Sequence, residues 1–261
     1  MSEPRVGYQV REGVATLALD APPVNGYSYE MMRALDDGIL KARFDDDVHV
    51  IVLTGAGDRF FCAGADINKL ATMSQSYKYQ FCLHANETLL RLEHTPKLVI
   101  AALNGHTVGG GLEVALACDL RVAKKDGGKL GLPEVALGVL PGTGGTQRLV
   151  RVVGKSRALE MMVSGRNMSF DEALEMGLVH EVMEGDFGDA VHAYARGFCP
   201  PAKAALAVGL IKRAVQTGAE VPLESGLALE RELQARLFQS GDAGEGLAAY
   251  LEKRKPGFSG R

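Results

Sequence analysis

Short apolar segments alternate with helical patterns through the first half of this 261-residue chain. Three of these segments, at residues 14–19, 49–54 and 98–102, are almost continuously apolar. Between them, residues 29–44 and 76–94 place their large apolar side chains at helical spacing. Strands that are apolar on both faces are typical of a parallel sheet that helices cover on both sides, so the sequence predicts an α/β fold.

The pattern changes after about residue 155, where helical periodicity replaces the strand signals. Shorter apolar stretches before this point predict a helix at 112–118, a strand at 120–123 and an extended piece at 131–135. After it, the sequence predicts helices at residues 156–163, 170–176, 187–198, 203–216, 223–238 and 244–253. We therefore expect an α/β core followed by a helical extension.

Composition and charge exclude several classes of protein. The chain has 29 basic and 32 acidic side chains, so it lacks the positive charge with which proteins bind nucleic acids. No apolar run approaches the length of a membrane span, and the first residues lack the pattern of a signal peptide. The cysteines are widely spaced, which favours reduced thiols in a cytoplasmic protein over a disulfide scaffold or a metal site: Cys62, Cys82, Cys118 and Cys199.

Generic phosphate and hydrolase motifs fail at specific positions. The Gly55-Ala-Gly57 turn follows a predicted strand, but Phe60 stands where a dinucleotide-binding fingerprint needs its third glycine. A phosphate loop ending at Lys155 would need a glycine at Leu149, so this stretch is interpreted as a loop that leads into a helix capped by Ser156. The chain also lacks HExxH and GxSxG motifs, which leaves covalent serine and metal-dependent hydrolysis without support.

Two glycine-rich segments each follow a predicted strand. The first is FCAGAD at residues 61–66, and the second is NGHTVGGGLE at residues 104–113, which runs into a helix start. Free backbone N–H groups at a helix start attract anions, and two converging sources of such groups form an oxyanion hole. Glu113 lies in the first turn of this helix, a position where acidic residues are also common for purely structural reasons.

Glu134 lies among apolar neighbours, including Leu132, Val135 and Leu137. Burying a carboxylate in such a stretch is costly unless it has a partner or a function, so we interpret Glu134 as functional. Two carboxylates near an oxyanion hole suit acid–base chemistry on a carbonyl compound.

Three long motifs, taken together, resemble one family. They are FCAGAD at 61–66, NGHTVGGGLEVALACD at 104–119 and LPEVALGVLPGTGGTQRL at 132–149, and they resemble the crotonase, or enoyl-CoA hydratase/isomerase, superfamily. The resemblance covers nearly the whole chain. It implies a spiral of ββα units at residues 1–198 with the CoA and active sites, then a helical trimerisation region at 199–261. It also implies a homotrimer, or a homohexamer built as a dimer of trimers.

The resemblance also implies roles for individual residues. The backbone N–H groups of Ala65 and Gly110 would form the oxyanion hole that holds the thioester oxygen. Glu113 and Glu134 would be the acid–base pair, since hydratases of the superfamily have both glutamates and many isomerases rely on the second alone.

The binding residues implied by the resemblance lie in two loops. The backbone of Ala63, Gly64 and Asp66 would surround the adenine end of CoA, although we interpret the Asp66 side chain as tying down its own loop. Gly142 would position the attacking water through its backbone. Residues 73–81 and 137–140 would line the acyl pocket.

The chain departs from this resemblance at residues 21–27, which read APPVNGY. Hydratases commonly have a basic residue before an Asn-Ala-Leu turn, and this chain has none there. We expect the positive charge for the CoA phosphates to come from the helical tail, where the candidates are Lys212, Arg213, Lys253 and Arg254. Tyr27 and His106 could touch the substrate, but packing or surface roles are the favoured interpretation.

The sequence therefore predicts an enoyl-CoA hydratase that adds water to a 2-enoyl-CoA with no cofactor beyond the CoA of its substrate. Two alternatives remain within the superfamily: a 3-enoyl to 2-enoyl-CoA isomerase, and a hydratase dedicated to a branched or cyclic acyl group. A non-catalytic member that binds CoA or RNA is a third alternative. The paired glutamates argue against loss of catalysis, and the absence of excess positive charge argues against RNA.

Overall fold

The computed structural model describes residues 5–260. Its strands are β1 (Arg5–Arg11), β2 (Val14–Asp20), β3 (Val50–Gly55), β4 (Phe60–Cys62), β5 (Leu98–Leu103), β6 (His106–Val108), β7 (Leu120–Lys124), β8 (Lys129–Gly131), β9 (Met168–Ser169) and β10 (Glu181–Met183). Its helices are α1 (Tyr29–Phe44), α2 (Ile67–Thr72), α3 (Gln75–Glu93), α4 (Gly110–Leu116), α5 (Gly145–Val153), α6 (Lys155–Ser164), α7 (Phe170–Glu175), α8 (Phe187–Arg196), α9 (Ala205–Gly218), α10 (Leu223–Phe238) and α11 (Gly241–Leu251). A 3₁₀ turn covers Glu134–Leu137.

The strands form two sheets. The large sheet has six strands in the order β1-β2-β3-β5-β7-β10, and only the β1–β2 pair is antiparallel. The small sheet has the order β4-β6-β8-β9, with β4, β6 and β8 parallel. Nearly every residue of β3 and β5 is buried, as their continuous apolar character predicts. The α/β fold class is confirmed.

Successive strands alternate between the two sheets. β3, β5 and β7 lie in the large sheet, whereas the strand that follows each of them, β4, β6 and β8, lies in the small sheet. Helices α2 and α3 follow β4, α4 follows β6, and the 3₁₀ turn with α5 follows β8. The chain thus winds through three strand–strand–helix units, which is the predicted spiral of ββα units.

The helix bounds predicted from strong periodicity agree with the structure, whereas the bounds predicted for short elements do not. Helices α1 and α10 begin and end where predicted. The Ser28 side chain caps α1 by accepting a hydrogen bond from the Met31 N–H. The extended piece predicted at 131–135 is wrong, because β8 ends at Gly131 and Glu134 begins the 3₁₀ turn. Ser156 is not a cap either, because α6 begins at Lys155 after Gly154.

Residues 1–4 and 261, at the outer ends of the two predicted regions, lie outside the described residues. Within residues 5–260, none of the helices combines the length and the apolar character needed to cross a bilayer.

A buried ion pair fastens the helical tail to the large sheet. Lys212 of α9 places its Nζ 2.8 Å from Oδ2 of Asp119, and both side chains are less than a tenth exposed. Asp119 precedes β7 and also accepts hydrogen bonds from the Val99 N–H at the start of β5 and from the Gln216 side chain. The expectation that Lys212 could meet CoA phosphates is therefore wrong, because its charge is buried and paired.

We expect Lys212→Met to lower the free energy of unfolding by about 3 kcal/mol, because it leaves the Asp119 carboxylate buried without its cation. The exposed neighbour gives a matched control, and Arg213→Met should leave the unfolding midpoint in urea unchanged. Equal midpoints for the two variants would contradict this role for the ion pair.

Candidate active site

The residues predicted to act together follow three neighbouring strands. Because β4, β6 and β8 are parallel neighbours, their carboxyl ends meet at one edge of the small sheet. Ala65 follows the end of β4, Gly110 follows β6 at the start of α4, and Glu134 follows β8. Ligand sites of α/β proteins commonly form at such an edge.

The loop after β4 is held by the segment before α1. The Tyr27 N–H donates to the Gly64 carbonyl at 3.0 Å, and the Asp66 N–H donates to the Tyr27 carbonyl at 3.4 Å. The Asp66 carboxylate caps α2 by accepting from the N–H groups of Asn68 and Lys69. Among the described residues, the N–H of Ala65 between these contacts has no protein acceptor.

The start of α4 packs against this loop so closely that only glycine fits. A Cβ on Gly111 would lie 2.0 Å from the Cys62 carbonyl oxygen, and one on Gly110 would lie 2.4–2.8 Å from the Tyr27 ring and hydroxyl. Gly64 has φ +83°, and a Cβ there would lie 2.8 Å from the Gly110 nitrogen. The structure therefore brings the segments that carry the Ala65 and Gly110 N–H groups into direct contact.

Glu113 lies on α4 one turn further on, with only 2% of its surface exposed. Its Oε1 accepts from the Thr143 N–H at 2.8 Å and from the Gly145 N–H at 2.7 Å. Its Oε2 accepts a short hydrogen bond from the Thr143 hydroxyl. Three donors therefore hold this buried carboxyl group in one orientation.

Glu134 faces a contrasting environment. Its Oε1 lies 3.0 Å from the position that a Cβ on Gly109 would occupy, just before α4. Within the described part of the chain its Oε2 is buried and has no hydrogen-bond partner. Burial, together with the negative charge of Glu113, raises the pKa of Glu134 to about 7. At neutral pH this carboxyl is therefore divided between its acid and base forms.

Gly142 and Ala63 border the same region. A Cβ on Gly142 would lie 3.5 Å from Sγ of Cys82, and the pKa of that thiol is raised by burial and by the negative charge of Glu113. Gly142 thus lies beside Cys82, a thiol whose ionisation Glu113 disfavours. Ala63 donates its N–H to the Val24 carbonyl at 3.1 Å, so the loop after β4 is tied to the segment before α1 at this end as well.

Sequence reasoning missed Thr143, which supplies two of the three hydrogen bonds to Glu113. Its only sequence signal is its place directly after Gly142. Arg148 holds the Thr143 loop in turn, since its Nη1 donates to the Thr143 carbonyl at 3.2 Å while its guanidinium pairs with Glu93 at 3.0 Å. Through these contacts Arg148 stabilises the fold around Thr143.

The fold and these motifs are those expected of the family that the sequence resembles. A comparison with known family models identifies the same family. The family model described as Enoyl-CoA hydratase/isomerase matches residues 9–261. The chain belongs to this family, the crotonase superfamily, and its activity is of the enoyl-CoA hydratase/isomerase class.

Individual relatives and solved structures are similar to this chain over nearly its whole length. The short-chain-enoyl-CoA hydratase of Clostridium acetobutylicum is 36% identical over 96% of this chain and 97% of its own length. The 2,3-dehydroadipyl-CoA hydratase of Escherichia coli K12 is 38% identical over 100% of both chains. A crystal structure of an enoyl-CoA hydratase from Geobacillus kaustophilus has a TM-score of 0.96 at 45% identity, covering 100% of this chain and 98% of that one.

We expect Gly64→Ala to reduce the turnover of an enoyl-CoA ester by about 10²-fold, the usual effect of misplacing one hydrogen-bond donor in an active site, because the new methyl group displaces the Gly110 nitrogen. Gly57→Ala is a matched control. Gly57 has a similar φ of +78° but no atom near its Cβ position, so both variants share the backbone strain and only one disturbs α4. Steady-state rates of the two variants measure the difference, and equal rates would count against this packing role.

Proposed function

We propose that this protein is an enoyl-CoA hydratase that adds water across the 2,3 double bond of a 2-enoyl-CoA. The contrast between the two glutamates supports this most directly. Glu113 accepts three hydrogen bonds and suits the role of a base, whereas Glu134 has a pKa of about 7 and no partner for Oε2 in the described residues and suits the role of an acid.

The thioester oxygen would lie between the N–H groups of Ala65 and Gly110. Both groups lack protein acceptors in the described residues, and both belong to segments in direct contact. Hydrogen bonds from rigid backbone donors stabilise the negative charge that develops on this oxygen as an enolate-like state forms.

Water addition would then use both carboxyl groups. Glu113 takes a proton from water as the water oxygen bonds to C3, and Glu134 gives its proton to C2. Gly142 supports this step, because its N–H has no acceptor among the described residues and is free to bind the water. The product is a 3-hydroxyacyl-CoA, and proton exchange with solvent restores both carboxyl groups. If both groups act from one side of the double bond, the addition is syn.

The CoA moiety would bind along the loop after β4, with the backbone of residues 63–66 around its adenine end. Arg254 is engaged by the carboxylates of Glu245 and Glu252, and Lys212 is buried. The exposed side chains of Arg213 and Lys253 are the two remaining candidates for contact with the CoA phosphates. The free state of the cysteines supports a reducing compartment such as the cytoplasm.

The proposed function is tested by Glu113→Gln and Glu134→Gln. Each should lower kcat for crotonyl-CoA hydration by about 10²–10⁴-fold, because each removes one proton transfer. In Glu113→Gln the new amide oxygen can still accept from the Thr143 and Gly145 N–H groups, so CoA-ester binding should persist in calorimetry. In the wild type, kcat should fall as pH rises above about 7, because Glu134 then loses the proton it donates.

Loss of thioester absorbance and a mass gain of one water give the readout, with the exposed Glu87→Gln as the control that keeps full activity. Full activity in both test variants would rule out the two-carboxylate mechanism. A wild type that leaves crotonyl-CoA unchanged but converts a 3-enoyl-CoA would be an isomerase. Hydration of only branched or cyclic 2-enoyl-CoA esters would indicate a dedicated hydratase.

We also propose that residues 199–261 form a trimerisation region beside a catalytic core at residues 1–198. Large apolar side chains of this region are more than half exposed in the single chain: Ile211, Val215, Leu223, Phe238, Leu247, Tyr250 and Leu251. So much apolar surface on one region is typical of a protein interface.

Light scattering on the purified protein should give about three or six times the chain mass of 27.8 kDa. The physical reason is that association removes this apolar surface from water. A monomeric mass at micromolar concentration would overturn the proposed assembly and leave the proposed chemistry untouched.

A further inference from the structure

Two consecutive hydrogen bonds connect Tyr27 to Glu113 through Thr143. The Tyr27 hydroxyl lies 3.1 Å from Oγ1 of Thr143, and the Thr143 hydroxyl is in turn bonded to Oε2 of Glu113. The three side chains are almost completely buried. Tyr27 lies just before α1 and Thr143 just before α5, 116 residues further along the sequence.

The direction of these two hydrogen bonds follows from the single proton that each hydroxyl group can donate. The Thr143 hydroxyl donates its single proton to Oε2 of Glu113. Oγ1 of Thr143 can then only accept from Tyr27, which must be the donor. Burial and the negative charge of Glu113 raise the pKa of Tyr27 well above its ordinary value, which keeps this phenol protonated and able to donate.

The ring of Tyr27 contacts the other half of the site. It packs so closely on the Cα of Gly110 that a Cβ there would lie 2.5 Å from the phenol oxygen. On a second side it stacks on Phe81 of α3, with ring centroids 5.6 Å apart. Through its backbone, Tyr27 pairs with the loop that carries Ala65.

We propose that Tyr27 is a positioning residue that fixes Glu113, through Thr143, relative to the oxyanion donors at Ala65 and Gly110. The inference rests on the proposed function, since it assigns Tyr27 a role in the same site.

The hydroxyl is tested by Tyr27→Phe, which keeps the ring. We expect kcat for crotonyl-CoA hydration to fall about tenfold, the effect of one hydrogen bond, while KM stays unchanged because Tyr27 is only 3% exposed and its ring is kept. Thr143→Val should lower kcat at least as much, and Thr143→Ser should restore it. The kcat of the double variant Tyr27→Phe/Thr143→Val should be no lower than that of Thr143→Val, because both changes interrupt the same series of hydrogen bonds.

The ring is tested by Tyr27→Leu with a bound cinnamoyl-CoA, whose absorbance shifts to the red when its carbonyl is polarised. Loss of the ring support at Gly110 should reduce this shift, whereas Tyr27→Phe should retain it. This spectroscopic readout needs no turnover, so it applies even if the protein does not hydrate crotonyl-CoA.

Tyr8→Phe is the matched control, because the buried Tyr8 hydroxyl has no hydrogen-bond partner in the described residues and lies on β1. It should leave kcat unchanged. If the wild type hydrates crotonyl-CoA and Tyr27→Phe has the same kcat, the proposed role of the hydroxyl is wrong. It is also wrong if the losses of kcat in the two single variants add in the double variant. A wild type that polarises cinnamoyl-CoA but does not hydrate crotonyl-CoA would overturn the proposed function alone. An unchanged red shift in Tyr27→Leu would overturn the role of the ring.

Discussion

The close backbone contact between the start of α4 and the loop after β4 is the constraint on which the rest of the structure depends. Gly111 against the Cys62 carbonyl and Gly64 against the Gly110 nitrogen leave no space for a methyl group. This contact joins two successive ββα units at the edge of the small sheet. It holds the two loops together as one unit, in which the N–H groups of Ala65 and Gly110 have no protein acceptor within residues 5–260.

Glu113 and Glu134 have the same side chain, but their surroundings give the two carboxyl groups different hydrogen-bond partners. Glu113 is surrounded by donors from the Thr143 loop and the start of α5, whereas Glu134 rests on a short 3₁₀ turn with no partner for Oε2 among residues 5–260. Neither environment is unusual by itself. Their proximity matters, because the negative charge of Glu113 helps to keep a proton on Glu134.

Much of this arrangement could be predicted from sequence, and the limits have physical causes. Helix α1 repeats its apolar positions over four turns, so its bounds were predictable. Strands β4, β6 and β8 have three residues each, too few for a periodic signal. Glu134 could be singled out because a charge among apolar residues is locally visible. The Tyr27–Thr143 hydrogen bond could not, because its partners meet only through the winding of the chain.

The carboxyl oxygen of Glu134 that lacks a partner in the described chain has a consequence for how the protein changes over evolutionary time. A buried polar atom without a partner weakens the folded state, so an apolar residue at position 134 would make the chain more stable. Random substitution under selection for stability alone would therefore remove this glutamate. A glutamate that costs stability at this position is what the proposed acid–base role would require.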